Sequence, residues 1–152
     1  SYNYGAGNIK RLVKAVKVAN VYAFTIMFIG FRLCQLFTIP ILNIFNASEN
    51  MISIGVHALK IISIGFLIAP FCVVSSGVFQ ALGKGMLSLT VSLSRQIGLI
   101  LPLAYLFAGM FGLNGVWWAF PIAEAFAGIL TAFFLKKLLL DDIMKRNIKR
   151  HR

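Results

Sequence analysis

The sequence predicts an all-α, polytopic membrane protein built from four antiparallel transmembrane helices. Three observations carry this. Four apolar stretches are each long enough to cross a bilayer, whose hydrocarbon core takes about 20 helical residues. They are residues 18–45, 55–82, 86–111 and 113–135, and each holds one of the four prolines: Pro40, Pro70, Pro102 and Pro121. The composition is 59% hydrophobic with a mean hydropathy of +0.86. The basic residues are sorted into alternate connections. A soluble four-helix bundle is disfavoured twice over. Its helices would keep a polar face, yet residues 61–74 and 97–111 carry almost no polar side chain on any face. An interior proline also costs a soluble helix about 3 kcal/mol, whereas in a membrane bundle neighbouring helices can satisfy the freed carbonyl.

The elements follow in order. Residues 1–17 form a polar, Gly-containing turn and then an amphipathic segment, with apolar Ile9, Leu12, Val13 and Val16 between basic residues. Spacings of three and four mark a helix lying at the interface. The first span covers 18–45. Residues 46–54 form a loop whose Asn46, Ser48, Glu49 and Asn50 offer a cap to the next helix. The second span covers 55–82, a tight turn at 83–85 follows, and the third span covers 86–111. Residues 112–135 hold a second tight turn and the fourth span, with Trp117 and Trp118 at headgroup level. The basic tail 136–152, with Leu140, Ile143, Met144 and Ile148 interspersed, is expected to rest on anionic lipid at about 1 kcal/mol per nearby basic residue. Short connections make successive helices antiparallel neighbours.

The formal charge of +11 raises the question of a nucleic-acid partner, and its distribution argues against one. Lys10, Arg11, Lys14 and Lys17 precede the first span, Lys84 lies in the second connection, and seven Lys and Arg residues follow the last span. The first connection has Glu49 and no basic residue. This is the positive-inside pattern with both ends cytoplasmic. Lys60 departs from it and is expected to snorkel to the outer interface. The partner implied is the lipid bilayer. Because Ser1 opens the chain in a polar turn, further membrane-bound sequence is expected before it.

Chemical motifs are sparse. Gly5 and Gly7 lack the preceding strand and Walker lysine of a nucleotide site. No H-E-x-x-H, G-x-S-x-G or C-x-x-C occurs. Asn46-Ala47-Ser48 matches a glycosylation sequon, a three-residue pattern of little weight. His57 is expected near the outer interface and His151 in the tail. Cys34 and Cys72 are isolated and read as small buried hydrophobes, with neither a disulfide framework nor a metal pattern. No nucleophile–base pair is visible, so no enzymatic activity is expected.

The informative residues are polar ones inside spans: Arg32 and Gln35 in the first, Gln80 ending the second, Arg95 and Gln96 in the third, and Glu124 in the fourth. Intramembrane charges cost roughly 3 kcal/mol or more and face a partner or a watery cavity. At about 1.5 Å per residue, Arg95 and Glu124 reach nearly equal depth on antiparallel neighbours, and Arg32 lies within a few ångströms of it. A register-fixing ion pair and a cavity lining both remain open for them.

These residues carry a resemblance. Residues 1–11, S-Y-N-Y-G-A-G-N-I-K-R, resemble the loop between the eighth and ninth helices of multidrug and toxic compound extrusion (MATE) transporters. Gln80-Ala81-Leu82-Gly83-Lys84 resembles the end of the tenth helix in that family. Leu93-Ser94-Arg95-Gln96 with Pro102 resembles the eleventh, and Gly115-Val116-Trp117 with Pro121 and Glu124 the twelfth. The resemblance implies helices nine to twelve, part of the C-terminal lobe of a twelve-helix plasma (inner) membrane transporter. It further implies efflux of cationic amphipathic small molecules in exchange for protons or sodium ions, with the remaining helices as partners and no covalently bound cofactor. Some branches carry a coupling acid on the tenth helix. Residues 54–80 here contain no Asp or Glu, so the coupling site is expected in the absent part of the chain. A lipid-linked precursor flippase of the same superfamily and a small non-transporting membrane scaffold are the alternatives.

Overall fold

The computed structural model describes residues 9–150. The turn around Gly5 and Gly7, the start of the first resemblance motif and His151 lie outside the described residues, as do the side chains of the tail beyond residue 138. Among the described residues, seven α-helices and two non-α helical segments make four passes: α1 (Ile9–Leu36), α2 (Thr38–Ile44), α3 (Glu49–Ile62), a 3-10 segment (Ser63–Leu67), α4 (Ala69–Ala81), α5 (Gly85–Leu93), a π-helical segment (Ser94–Ile100), α6 (Leu101–Phe111) and α7 (Leu113–Arg150). Helices long and apolar enough to cross a membrane run over Val13–Leu36, Glu49–Leu67, Gly85–Phe111 and Leu113–Leu138, and Ala69–Ala81 completes the second pass.

The boundaries differ from those expected. As the lack of any breaker between them implies, the amphipathic segment runs into the first span as one helix, but that helix ends at Leu36, ahead of the span end at 45. The loop expected at 46–54 is shorter. Asn46 ends α2 in the left-handed region at φ 53°, and Ala47 N–H closes the turn onto the Leu42 carbonyl at 3.4 Å. Ser48 then caps α3 by accepting from Met51 N–H. Past residue 135, α7 continues as helix through the basic tail to Arg150.

Three of the four prolines sit where an α-helix has just begun. Pro40 is the third residue of α2, behind a bend at Phe37, and Pro70 and Pro102 open α4 and α6. A proline lacks the N–H donor and its ring crowds the carbonyl four residues back. The chain relieves this differently at each site. Before Pro70 the helix tightens to 3-10, and before Pro102 it widens to a π segment. Pro121 alone lies inside a continuous helix.

The second pass is the common support. α1 packs on the 3-10 segment and α4, while α7 packs on α3, the 3-10 segment and α4. The third pass closes against α7 and α4. The α7 contact face is a ladder of small residues at four-residue spacing: Gly115, Ala119, Ala123, Ala127 and Thr131, all buried. Lipid tails supply no hydrophobic drive between helices, so close van der Waals approach over small side chains holds such a bundle together. Gly65 lies against the Glu124 and Pro121 positions of α7, and Gly115 is tighter still. A Cβ on Gly115 would fall 2.6 Å from the Phe107 carbonyl oxygen. The outer surfaces stay apolar, with Leu89, Leu93, Ile97 and Leu101 forming one exposed ridge on the third pass.

Candidate functional site

The polar groups of the spans gather at the breaks in the helices. At the 3-10 break the hydrogen-bond register shifts from four residues to three, and the Lys60 carbonyl takes side-chain donors. Ser63 Oγ donates to it at 3.0 Å, and Gln35 Nε2 from α1 donates to it at 2.8 Å. The same Gln35 amide lies 3.0 Å from Ser63 Oγ. In hydrocarbon, where no water can serve that carbonyl, these donors are what a broken helix requires. Ser63 is fully buried.

The π segment places Arg95 toward α7. Its Nη1 donates to both Glu124 oxygens, at 3.0 and 2.9 Å. The pair is part-buried, with side-chain exposures of 26% for Arg95 and 12% for Glu124. One nitrogen serves both oxygens, so the contact is end-on and lacks the parallel two-bond geometry that makes Arg–carboxylate pairs strongest. Glu124 approaches from the helix face that Gly65 permits: a Cβ at Gly65 would meet the Glu124 Cβ and Cγ at 3.8 Å. Cys72 of α4 lies near Glu124 and Thr131. Among the described residues, the buried Trp117 ring nitrogen has no hydrogen-bond partner.

At the end of the second pass, Gln80 Nε2 donates to Ser88 Oγ at 3.0 Å, tying α4 to α5 across the turn. Gly83 turns there at φ 72°, and Lys84 N–H closes onto the Phe79 carbonyl at 2.7 Å. Arg32 and Gln96 are exposed, with no hydrogen-bond or ion-pair partner among the described residues. Arg32 therefore does not join the Arg95–Glu124 pair, despite its similar depth. The backbones of α1 and α7 make no close approach; both pack on the second pass.

Two open clefts flank the bundle. One, of about 340 Å³, is bounded by Asn20, Phe24 and Thr25 of α1 and by Leu67, Pro70 and Phe71 at the helix break. The other, of about 380 Å³, lies between α6 and α7 and is lined by Phe107, Phe111, Asn114, Gly115, Trp118 and Ile122. None of the six polar residues singled out in the sequence lines either cleft. Ser63, Ser88 and the small-residue ladder were not singled out. The ladder carries a readable signal, a small residue every fourth position from Gly115 to Thr131.

A bundle of proline-broken, apolar helices, with Gln35, Ser63, Arg95 and Glu124 paired at the breaks, defines a polytopic membrane protein. The MatE family model matches residues 1–106, and the chain belongs to that family. It is similar to the multidrug export protein MepA of Staphylococcus aureus (strain MSSA476), with 28% identity over 149 residues covering 93% of this chain and 32% of that protein. The multidrug export protein MepA of Staphylococcus saprophyticus is 26% identical over 148 residues. Among solved structures, the MATE multidrug transporter DinF-BH is 39% identical, with a TM-score of 0.75 over 90% of this chain and 30% of its own. An inward-facing multidrug resistance MATE family transporter of the MOP superfamily is 25% identical, with a TM-score of 0.84 over 95% of this chain and 34% of its own. The chain spans about a third of the length of the curated relatives it matches.

Proposed function

We propose that these helices form part of the C-terminal lobe of a multidrug efflux antiporter that exports cationic amphipathic compounds against an inward flow of protons or sodium ions. The observation that carries this reading is the match along nearly the whole chain to MepA and to MATE transporter structures. The geometry agrees in kind. Transporters use discontinuous helices where backbone must rearrange, and two of the four passes here are broken at mid-length. α3 and α4 carry no carboxylate past Glu49 at the first turn, and Glu124 is engaged by Arg95. This supports a reading in which the coupling acids lie in the rest of the protein. A flippase for lipid-linked pyrophosphates would need free cations in its cavity. Arg95 is already neutralised by Glu124, and of the two intramembrane arginines only Arg32 is left unpaired among the described residues, which weighs toward the drug-efflux reading.

The test is expression of the full-length protein in a drug-sensitive host, with export of a fluorescent cationic dye followed as the proton and sodium gradients are collapsed in turn. Energised export that stops when one gradient is removed is expected. Dye retention equal to an empty-vector control, at matched membrane expression, would refute the reading.

A further inference from the structure

Arg32 and Lys60 are mid-span charges without an ion-pair partner among the described residues; Lys60 lies eleven residues past Glu49, toward the outer end of its pass, and Arg32 faces away from the bundle. Arg32 lies fifteen residues past Lys17 and fourteen before Asn46, with the end of α1 at Leu36 and the bend at Phe37 on the Asn46 side, and its near neighbour Gly30 packs on Phe66 in the 3-10 break of the second pass. Its side chain is exposed on α1, with Ile29 and Leu36, also exposed, one turn away on the same face. An isolated guanidinium at this depth costs roughly 3 kcal/mol or more.

This chain has no carboxylate to offer it. The sequence contains four acids: Glu49, Glu124, Asp141 and Asp142. Both oxygens of Glu124 are held by Arg95, on a helix whose backbone makes no close approach to α1. Glu49 begins α3, beyond the far end of the first pass. Asp141 lies seventeen residues past Glu124 on α7, about 25 Å further along the helix, and Asp142 follows it. Of the other polar groups, Gln35 is matched within the bundle by Ser63 and the Lys60 carbonyl, and Gln80 by Ser88, while Gln96 of the π segment is exposed and carries no charge. The curated relatives are about three times as long as this chain, so further helices of the protein are available to cover α1.

We propose that Arg32 is a docking residue: it takes a carboxylate carried, at mid-membrane depth, by a helix of the same polypeptide lying outside residues 1–152. The Arg32 face of α1 is then an internal interface of the full protein rather than a lipid-facing surface. A lone carboxylate on the partner helix would be as costly there as the lone arginine, so the two charges select one packing register between helices.

The test uses the full-length protein in native membranes. A photoreactive benzophenone amino acid replaces Ile29 or Leu36, leaving Arg32 intact, and cross-linked peptides are identified by mass spectrometry. A benzophenone at Phe66, which packs against Gly30, is the positive control and should capture α1. The expected product is an adduct to a membrane-spanning peptide outside residues 1–152 that carries Asp or Glu within two turns of the attachment point. Neutralising that acid should restore at least half of the melting-temperature loss caused by Arg32→Gln, and Arg32→Lys should lose less than Arg32→Gln. Adducts to lipid alone, to residues 1–152 of the same or a second copy, or to a helix without an acid would overturn the proposal. So would an absence of adducts while the control labels. None of these readouts depends on transport, so the proposal stands or falls separately from the efflux reading.

Discussion

Arg95 and Glu124 show what a charge needs at mid-membrane depth. Taken singly, either side chain would be strongly unfavourable there; together they exchange two charge-assisted bonds through one nitrogen. Their part-burial keeps the contact below the strength of a fully enclosed pair. In the full-length protein Glu124→Gln should strand the guanidinium and destabilise the bundle, and Arg95→Gln should strand the carboxylate. The double variant should cost less than the sum of the singles, with a coupling of about 1–3 kcal/mol. Thermal unfolding of the four proteins in detergent measures it, and strict additivity would show that the pair contributes nothing jointly. Gln35 makes a smaller claim. Gln35→Leu removes donors from the Lys60 carbonyl, but Ser63 Oγ still serves it. Its cost should be about 1 kcal/mol, the usual scale for an interhelical hydrogen bond in a membrane. A Ser63→Ala background, which removes the second donor, should roughly double the penalty for Gln35→Leu. Sequence alone brought Arg95 and Glu124 together, because depth follows from counting residues along antiparallel helices. It did not bring Gln35 to Ser63, because that contact depends on the rotation of α1 about its axis, which residue counting leaves open.

At the scale of elements, the prolines mark where the passes break, and the neighbours decide how. Pro70 and Pro102 impose the same local defect, a missing donor and a crowded carbonyl. One site tightens to 3-10 and the other widens to a π turn. The tight version sits where Gln35 can serve the Lys60 carbonyl and Gly65 lets α7 close in. The wide version sits where Arg95 must reach Glu124. Neither choice is legible in the proline itself, since both depend on side chains distant in sequence. The small-residue ladder on α7 is legible, and it predicts asymmetric tolerance between two glycines of one hairpin. A Cβ on Gly115 would meet the Phe107 carbonyl oxygen at 2.6 Å and the Phe111 Cβ at 2.8 Å. Gly115→Ala should therefore push α6 from α7 and destabilise by about 1–3 kcal/mol. Gly109 on α6 has open space at the same point. Gly109→Ala should be neutral or stabilise by up to about 1 kcal/mol, because alanine favours the helix. Melting temperatures of the two variants decide between them, and equal losses would mean that the hairpin packing is not what holds these helices.

For the whole molecule, the open question with a physical answer is which way the bundle faces. The four passes fix relative direction: the turns at Asn46 and Gly112 share one side, and the turn at Gly83 lies on the other with the start of α1 and the end of α7. Charge then chooses between the two orientations. The Gly83 side carries Lys84 with the clustered basic residues of both ends, whereas the connection at Asn46 has Glu49 and no Lys or Arg. Loops rich in Lys and Arg stay cytoplasmic, so the Gly83 side should face the cytoplasm and Ser48 the outside. Lys60 is the one basic residue against this assignment, and it is a weak one. It is exposed, and it lies less than a turn before the break at Ser63. The test is accessibility in intact cells of the full-length protein, in a background with every native cysteine replaced, Cys34 and Cys72 among them. A membrane-impermeant thiol reagent should label Ser48→Cys from outside. Lys84→Cys should become labelled only after permeabilisation. The reverse pattern would show that the family's fold is inserted here against its own charge asymmetry, and the positions of Arg32, Arg95 and Glu124 relative to the ion gradient would be inverted with it.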